Sequence, residues 1–189
     1  EKQGLIGNAF SGASDPLVVE ADESDGTLVK YSPEASVILN ISKDHKSVDE
    51  IKVLFDVLVS RSSWAALNSD DPVLASIPAT VYFGRGGSAS WRPEQEQCSG
   101  TSVRLFRNGV EYHLPLPGNH NLENLRAALC VCEHFGCEGQ ILANAVRDFG
   151  GVARRFAITE TNEGVHVVDD FAHNPAKIAA AVNTARGIS

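Results

Sequence analysis

The chain has 189 residues, of which 43% are hydrophobic and 21% charged, as expected for one globular domain with part of a second. Its net charge of −8 disfavours general binding to nucleic acids or anionic membranes, because both require a basic surface. The sequence has no apolar run of about 18 residues and no apolar signal-peptide core, so we expect neither a membrane span nor a leader. The lack of methionine and the abrupt ends predict a fragment of a longer protein.

Two short apolar runs, residues 17–19 and 37–41, open the predicted fold and are typical of buried parallel strands. Glu20 begins an acidic loop directly after the first run, and Asp44 and His45 follow the second. Ligands of open α/β sheets bind at the carboxyl ends of strands, and carboxylate and imidazole groups are ligands for divalent cations. The pattern therefore fits either a cation site or a pair of acidic capping loops.

The next elements alternate between helix and strand, which is the pattern of βαβ units. In chain order, the periodicity and the turn residues predict a helix over 48–58, a strand over 64–67, a short helix over 73–77 and a strand over 80–83. Residues 84–100 are rich in Gly, Ser, Pro and Gln and predict a loop.

A hairpin is predicted from residues 102–107 and 110–116, which alternate apolar and polar residues around Asn108-Gly109, a dipeptide that favours a type I′ turn. The later predicted elements are a helix that opens at 117–121 and ends at Gly136, a helix over 140–149, a strand over 165–168 and a helix over 176–186. The predicted fold class is α/β, a mostly parallel sheet with flanking helices and a small antiparallel hairpin sheet, followed by the first β-α unit of a further α/β domain.

The sequence contains four cysteines. Cys130, Cys132 and Cys137 fall on an apolar helical pattern, whereas Cys98 lies in the predicted loop. Because their spacing matches zinc ligands poorly, we predict buried core thiols, which suit a reducing cytoplasm.

Three further groups of residues carry weaker signals for ligand binding. Asn121 and Asn124 place two amides on one helix face, which suits a purine edge and equally suits helix capping. Arg154 and Arg155 follow a glycine pair, where a guanidinium either reaches a phosphate or is simply solvated. Asp170 ends a predicted strand, where a carboxylate either holds a ribose hydroxyl or belongs to a helix cap.

In chain order, the segments at these positions read E-A-D-E-S-D-G (20–26), N-I-x-x-D-H (40–45), N-S-D-D-P (68–72), L-P-G-N-H-N-x-x-N (116–124), G-G-V-x-R-R-F (150–156) and D-D-F-A-H-N-P (169–175). Together they closely resemble the Mur ligase family, the ATP-dependent ligases that build the peptide of bacterial cell-wall precursors. The first and last segments look most like the UDP-N-acetylmuramate–L-alanine ligase branch, which includes the murein-peptide ligase.

The resemblance implies that residues 1–153 are the later part of the central ATP-binding domain and that 154–189 start the Rossmann-like C-terminal domain. It also implies a cytoplasmic reaction in which ATP activates UDP-N-acetylmuramate as an acyl phosphate that L-alanine or a peptide then attacks. The residues that match functional positions of the family are Glu20 and His45 (Mg²⁺), Asn121 and Asn124 (adenine), Arg155 (γ-phosphate, catalytic), Asp170 (ribose) and His173 (near the incoming amine, catalytic).

The sequence departs from the family pattern in several places. The phosphate loop G-x-x-G-K-[ST]-[ST], expected upstream of Glu20, is not in the sequence, so we expect this chain alone to be inactive. Lys52 lies too close to His45 to match the carbamylated lysine of other branches, and His173-Asn174 replaces a usual His-His. A related ligase of polyglutamate or cyanophycin type and a non-catalytic truncated binding module remain alternatives.

Overall fold

The computed structural model describes residues 5–6, 9–10, 15–43, 46–173 and 175–188. The strands are β1 (Leu5–Ile6), β2 (Ala9–Phe10), β3 (Ala35–Ile38), β4 (Trp64–Asn68), β5 (Val81–Phe83), β6 (Gln95–Cys98), β7 (Val103–Arg107), β8 (Val110–Leu114), β9 (Ala157–Glu160) and β10 (His166–Asp169). The helices are α1 (Val48–Arg61), α2 (Asn119–His134), α3 (Gly139–Arg147) and α4 (Pro175–Arg186), with short 3₁₀ turns at Thr27–Lys30 and Leu74–Ser76. This mixture of parallel and antiparallel strands with helices confirms the predicted α/β class.

Strand β4 is the centre of a parallel sheet and pairs with β3 on one side and β5 on the other. Every residue of β4 is buried, which is typical of a strand covered on both faces. Leu67 belongs to an apolar cluster with Leu58 of α1, whereas Trp64 and Ala66 belong to a second cluster with Leu129 of α2. The parallel sheet is therefore a layer between α1 and α2.

Helix α1 begins directly after Ser47, whose hydroxyl accepts the backbone N–H of Glu50 at 3.3 Å. In return, the Glu50 carboxylate accepts the backbone N–H of Ser47 at 2.8 Å, which completes a capping box. Hydrogen bonds from the Ser47 hydroxyl and amide lower the pKa of Glu50. The helix predicted over 48–58 is confirmed and continues to Arg61.

The antiparallel sheet has the strand order β6-β7-β8. Asn108 and Gly109 join β7 to β8 with φ angles of 50° and 77°, so the predicted type I′ hairpin is confirmed. Strand β6 lies in the segment that the sequence predicted as a loop, which was wrong. Its Gln-Glu-Gln-Cys sequence has no apolar alternation, and its strand conformation depends on the ladder that it forms with β7.

Helix α2 connects the two sheets through its apolar face. Leu122 and Leu129 belong to one cluster with Phe83 of β5 and Tyr112 of β8. Gly136 ends the helix, as predicted, with a φ of 73° in the left-handed region that favours glycine. Because α2 contacts both sheets, the position of its first turns depends on the relative position of those sheets.

The cysteines differ from one another in their surroundings. Cys130 is buried, and burial raises the pKa of its thiol to about 12, so the predicted core thiol is confirmed there. Cys132 is half-buried. Cys137 is exposed, and the prediction was wrong for this residue because it follows the glycine that ends α2.

Residues 17–19 differ from the strand that their sequence predicted. They are irregular, and the side chains of Leu17 and Val18 are 86% and 92% exposed. A buried parallel strand needs a ladder with a neighbouring strand and cover on both faces. Within the described ranges β3 pairs with β4 alone, and no strand lies along residues 17–19.

The last elements are a hairpin and a helix. Strand β10 and helix α4 correspond to the predicted β-α unit, but β10 pairs antiparallel with β9, a strand that the sequence analysis did not contain. None of the helices in the described part of the chain is both long and apolar enough to cross a membrane.

Candidate functional site

The acidic loop that begins at Glu20 is exposed and shaped by its own aspartates. Asp22 and Asp25 each accept a backbone N–H from the residue two positions further on, at 2.7 and 2.8 Å. Lys46 donates a hydrogen bond from Nζ to a carbonyl of the same loop. The loop therefore contacts Lys46, whereas the predicted ligand His45 lies outside the described residues.

Two aspartates after β4 connect the carboxyl ends of the parallel strands. Asp71 accepts the backbone N–H of Ile41, which follows β3, at 2.9 Å. Asp70 accepts the backbone N–H groups of Arg85 and Gly86, which follow β5, at 3.0 and 3.1 Å. These bonds organise the edge of the sheet at which open α/β proteins bind ligands.

The first turns of α2 carry Asn121 and Asn124. The helix starts after Gly118, whose φ of 101° is in the region that favours glycine. Asn121 donates from Nδ2 to the carbonyl of Pro117 at 2.7 Å, a contact of the capping type. Asn124, one turn further on, is exposed. The structure therefore places both amides at the start of α2 and leaves Asn124 accessible to a ligand.

Arg155 and His173 lie near the ring of Phe171, and Asp170 directly precedes Phe171 in the chain. We call these four residues the Phe171 cluster. The guanidinium of Arg155 lies 6.0 Å from the ring centroid of Phe171, and the His173 ring lies 5.4 Å from it. Asp170 accepts the backbone N–H groups of Phe156 at 2.8 Å and of the residue after Phe171 at 2.7 Å. The cluster joins the segment before β9 to the end of β10.

His120 connects the start of α2 to this cluster. Its half-buried ring lies 6.5 Å from the ring of Phe156, in an edge-on arrangement. Burial lowers the pKa of His120, and the nearby carboxylates of Asp170 and Glu123 offset part of that effect. A cleft of about 500 Å³ opens beside it between α2 and α4, lined by polar residues that include Glu123 and Asn183.

The structure thus brings the predicted residues together in two groups. Arg155, Asp170 and His173 lie in the Phe171 cluster, which His120 connects to the helix that carries Asn121. Glu20 lies on the separate acidic loop beside Lys46.

The sequence analysis missed Arg126, which is completely buried in α2. A signal for it was present, because a charged residue interrupts the apolar stripe four positions after Leu122 and three before Leu129. His120 was also missed as a link, since its partner Phe156 is distant in sequence.

The family model of the Mur ligase middle domain matches residues 6–132 of the chain. The chain therefore belongs to the Mur ligase family, and the resemblance drawn from its motifs is confirmed.

The chain is similar over its length to curated members of the family. It is 35% identical over 198 aligned positions to the UDP-N-acetylmuramate–L-alanine ligase of Acaryochloris marina, covering 95% of this chain and 41% of that protein. It is 36% identical to the ligase of the same name from Nitratidesulfovibrio vulgaris, covering 96% of this chain and 43% of that protein. The chain thus spans about two fifths of the length of these relatives.

Solved structures agree with this fold. The UDP-N-acetylmuramate-alanine ligase MurC of Thermotoga maritima superposes with a TM-score of 0.76 at 26% identity, covering 88% of this chain and 41% of that one. The MurF ligase of Thermotoga maritima, solved in complex with ADP, has a TM-score of 0.67 at 20% identity and covers 86% and 41%. The second likeness bears on the fold alone.

The lowered pKa of His120 predicts a pH-dependent stability. Between that pKa and the unfolded value near 6.5, the unfolded chain binds more protons than the folded chain, so the free energy of unfolding falls as the pH drops below about 6.5. His120→Gln removes this titration and flattens the profile. Urea unfolding of the unmutated chain and of His120→Gln from about pH 5 to pH 8 measures how the free energy of unfolding changes with pH in each. Equal pH dependence in the two proteins would contradict the lowered pKa of His120.

Proposed function

We propose that this chain is the nucleotide-binding part of an ATP-dependent ligase that forms an amide bond between a carboxylate and an amine. The observation that carries the proposal is the meeting of two groups, the Phe171 cluster and the start of α2, which His120 and Phe156 connect. Such an arrangement lets one nucleotide contact side chains from both parts. Membership of the Mur ligase family supports the same conclusion.

In this proposal each group of the nucleotide has its own partner. Asn121 and Asn124 meet the adenine, because a primary amide both donates and accepts hydrogen bonds. Asp170 accepts a ribose hydroxyl through the lone pairs that its two backbone N–H bonds leave available. Arg155 lies exposed beside Phe171, from where its guanidinium reaches the γ-phosphate.

Glu20 and His45 would hold Mg²⁺, which neutralises charge on the phosphates when bound. Two observations support this pair: the side chain of Glu20 is exposed, and the acidic loop contacts Lys46, the residue that follows His45 in the sequence. Carboxylate oxygen and imidazole nitrogen are suitable donors for a divalent cation. His173 completes the proposed site near the incoming amine.

The proposed reaction has two steps. The substrate carboxylate attacks the γ-phosphorus of ATP, which gives an acyl phosphate and releases ADP. The amine then attacks the acyl carbon to form a tetrahedral intermediate, which expels inorganic phosphate as the amide forms and the nitrogen loses a proton. Arg155 stabilises charge on the transferring phosphoryl group, where fixed positive charge has most effect.

The substrates and the domain division are parts of the same proposal. Residues 1–153 are the later part of the central ATP-binding domain, and 154–189 start the C-terminal domain. The carboxylate substrate is UDP-N-acetylmuramate and the amine is L-alanine, as the names of the curated relatives suggest, or a peptide, as the resemblance to the murein-peptide ligase implies. These substrates place the enzyme in the cytoplasm.

A ligation assay on the full-length protein tests the function. Phosphate release is followed with ATP, Mg²⁺ and UDP-N-acetylmuramate, and with L-alanine or the tripeptide as the amine. We expect phosphate release with one of these amines and none without an amine acceptor. The chain by itself, which lacks the phosphate-loop sequence, is the control and should form no ADP. Full-length protein that binds ATP but releases no phosphate with either amine would contradict these substrates and support one of the two alternatives, a related ligase with another substrate or a binding module.

Glu20→Gln tests the metal site in the same assay. Loss of the carboxylate charge should abolish ligation at ordinary Mg²⁺ concentrations, because a neutral amide is a weaker ligand for a hard cation. Glu23→Gln, in the same loop, is the matched control and should keep its activity. Equal loss in both variants would assign the effect to the charge of the loop.

Arg155→Ala tests the phosphoryl-transfer role, with Arg154→Ala as its control. Both guanidinium groups lie over Phe171, at 6.0 and 5.1 Å, so the variants lose similar ring contacts. Only Arg155→Ala should slow acyl-phosphate formation, by on the order of 10³-fold, because a positioned arginine stabilises the transition-state charge. Single-turnover ADP formation measures this step. A change in amine KM alone would give Arg155 a different role.

A further inference from the structure

Arg126 is a charged side chain with no exposure to solvent. It lies in the middle of α2, on the face that also carries the buried Leu122 and Leu129. A buried guanidinium is destabilising unless carboxylates pair with it and hydrogen-bond to it. Its partners therefore define what this residue does in the fold.

Those partners come from the antiparallel sheet and from the loop that follows β4 of the parallel sheet. The carboxylate of Glu96 on β6 accepts from Nε and Nη2 of Arg126 at 2.9 and 3.0 Å, which is a two-point contact. The Oδ2 atom of Asp70, in the loop after β4, lies 3.6 Å from Nη1, which has no hydrogen-bond partner among the described residues. Asp70 and Glu96 are themselves fixed, because each also contacts Arg85.

The two-point contact sets the rotation of α2 about its axis. Successive residues of an α-helix are about 100° apart, so Arg126 lies about 200° from Asn124 and about 140° from Asn121. The arginine therefore points away from both amides. Anchoring one side of the helix to Glu96 of β6 fixes the direction of the opposite side.

We infer that Arg126 is a positioning residue, which turns Asn121 and Asn124 of α2 towards the purine base of the nucleotide. The inference rests on the proposed function, since it concerns the base that those amides meet. Arg126 contacts no nucleotide itself. Its effect on recognition passes through the orientation of the helix.

The other end of α2 supplies a matched comparison. Glu133 accepts from Nε of Arg107 at 3.0 Å, and the guanidinium of Arg107 lies 4.4 Å from the ring centroid of Trp91. This pair is also largely buried and holds the same helix, but it is about two and a half turns from Asn124. We therefore expect the removal of Arg107 to weaken the packing of α2 while the first turns of the helix keep their orientation.

The test compares Arg126→Met and Arg107→Met in the full-length enzyme. Thermal unfolding should show that both variants lose stability. Only Arg126→Met should raise the KM for ATP, by about tenfold, and lower the ratio of kcat/KM between ATP and GTP, while kcat changes by less than about twofold. Arg126→Lys keeps the charge and loses the planar two-point contact, so the discrimination should recover in part.

An equal loss of base discrimination in both variants would reduce the role of Arg126 to general stability and overturn the inference. Unchanged discrimination in Arg126→Met would also overturn it. Should the Arg126→Met variant fail to fold, Glu96→Gln replaces it. This variant keeps the side-chain volume at position 96 and weakens the same contact more mildly, and we expect the same changes in KM and in base discrimination.

Asn121→Ala and Asn124→Ala separate this inference from the proposed function. If these variants lower the discrimination between ATP and GTP and Arg126→Met does not, the positioning role alone fails. If neither asparagine variant changes the discrimination between ATP and GTP, the assignment of these amides to adenine fails, and the positioning role of Arg126 fails together with it.

Discussion

The burial of one positive charge determines how the two sheets and α2 fit together. Because Arg126 has no contact with water, the fold must bring a carboxylate to it, and it does so with Glu96 of the antiparallel sheet at hydrogen-bond distance and Asp70 beyond β4. Apolar packing alone tolerates small rotations of a helix, whereas a two-point ionic contact does not. The ionic contact therefore gives the apolar core a defined geometry.

The distal end of α2 uses the same chemistry with less burial. Glu133 accepts from the indole N–H of Trp91 at 2.7 Å as well as from Arg107. The helix is thus fixed at its middle and near its C-terminal end by contacts that involve the carboxylates of Glu96 and Glu133. Between these two points, Leu129 packs in the core with Trp64 of the central strand. These contacts further along α2 support its first turns, which lie next to His120 and the Phe171 cluster.

Locally encoded features of the fold could be predicted from the sequence. The hairpin turn at Asn108-Gly109 and the helix that begins at Val48 depend on residues a few positions apart, and both formed as expected. Strand β6 depends instead on pairing with β7, and residues 17–19 lack such a pairing among the described strands, so composition alone predicted both incorrectly. The motifs singled out Arg155, Asp170 and His173 one by one, but did not indicate that they lie together. The partner of Arg126 is 30 residues away, too far for a local pattern to indicate it.

The irregular run at residues 17–19 has a consequence for the behaviour of the chain in solution. Leu17 and Val18 are almost fully exposed, and the side of β3 away from β4 carries no ladder within the described ranges. An exposed apolar segment and an unpaired strand edge each favour association between copies. We therefore expect these two surface features, rather than the packing of the core, to limit the concentration at which this chain stays monodisperse.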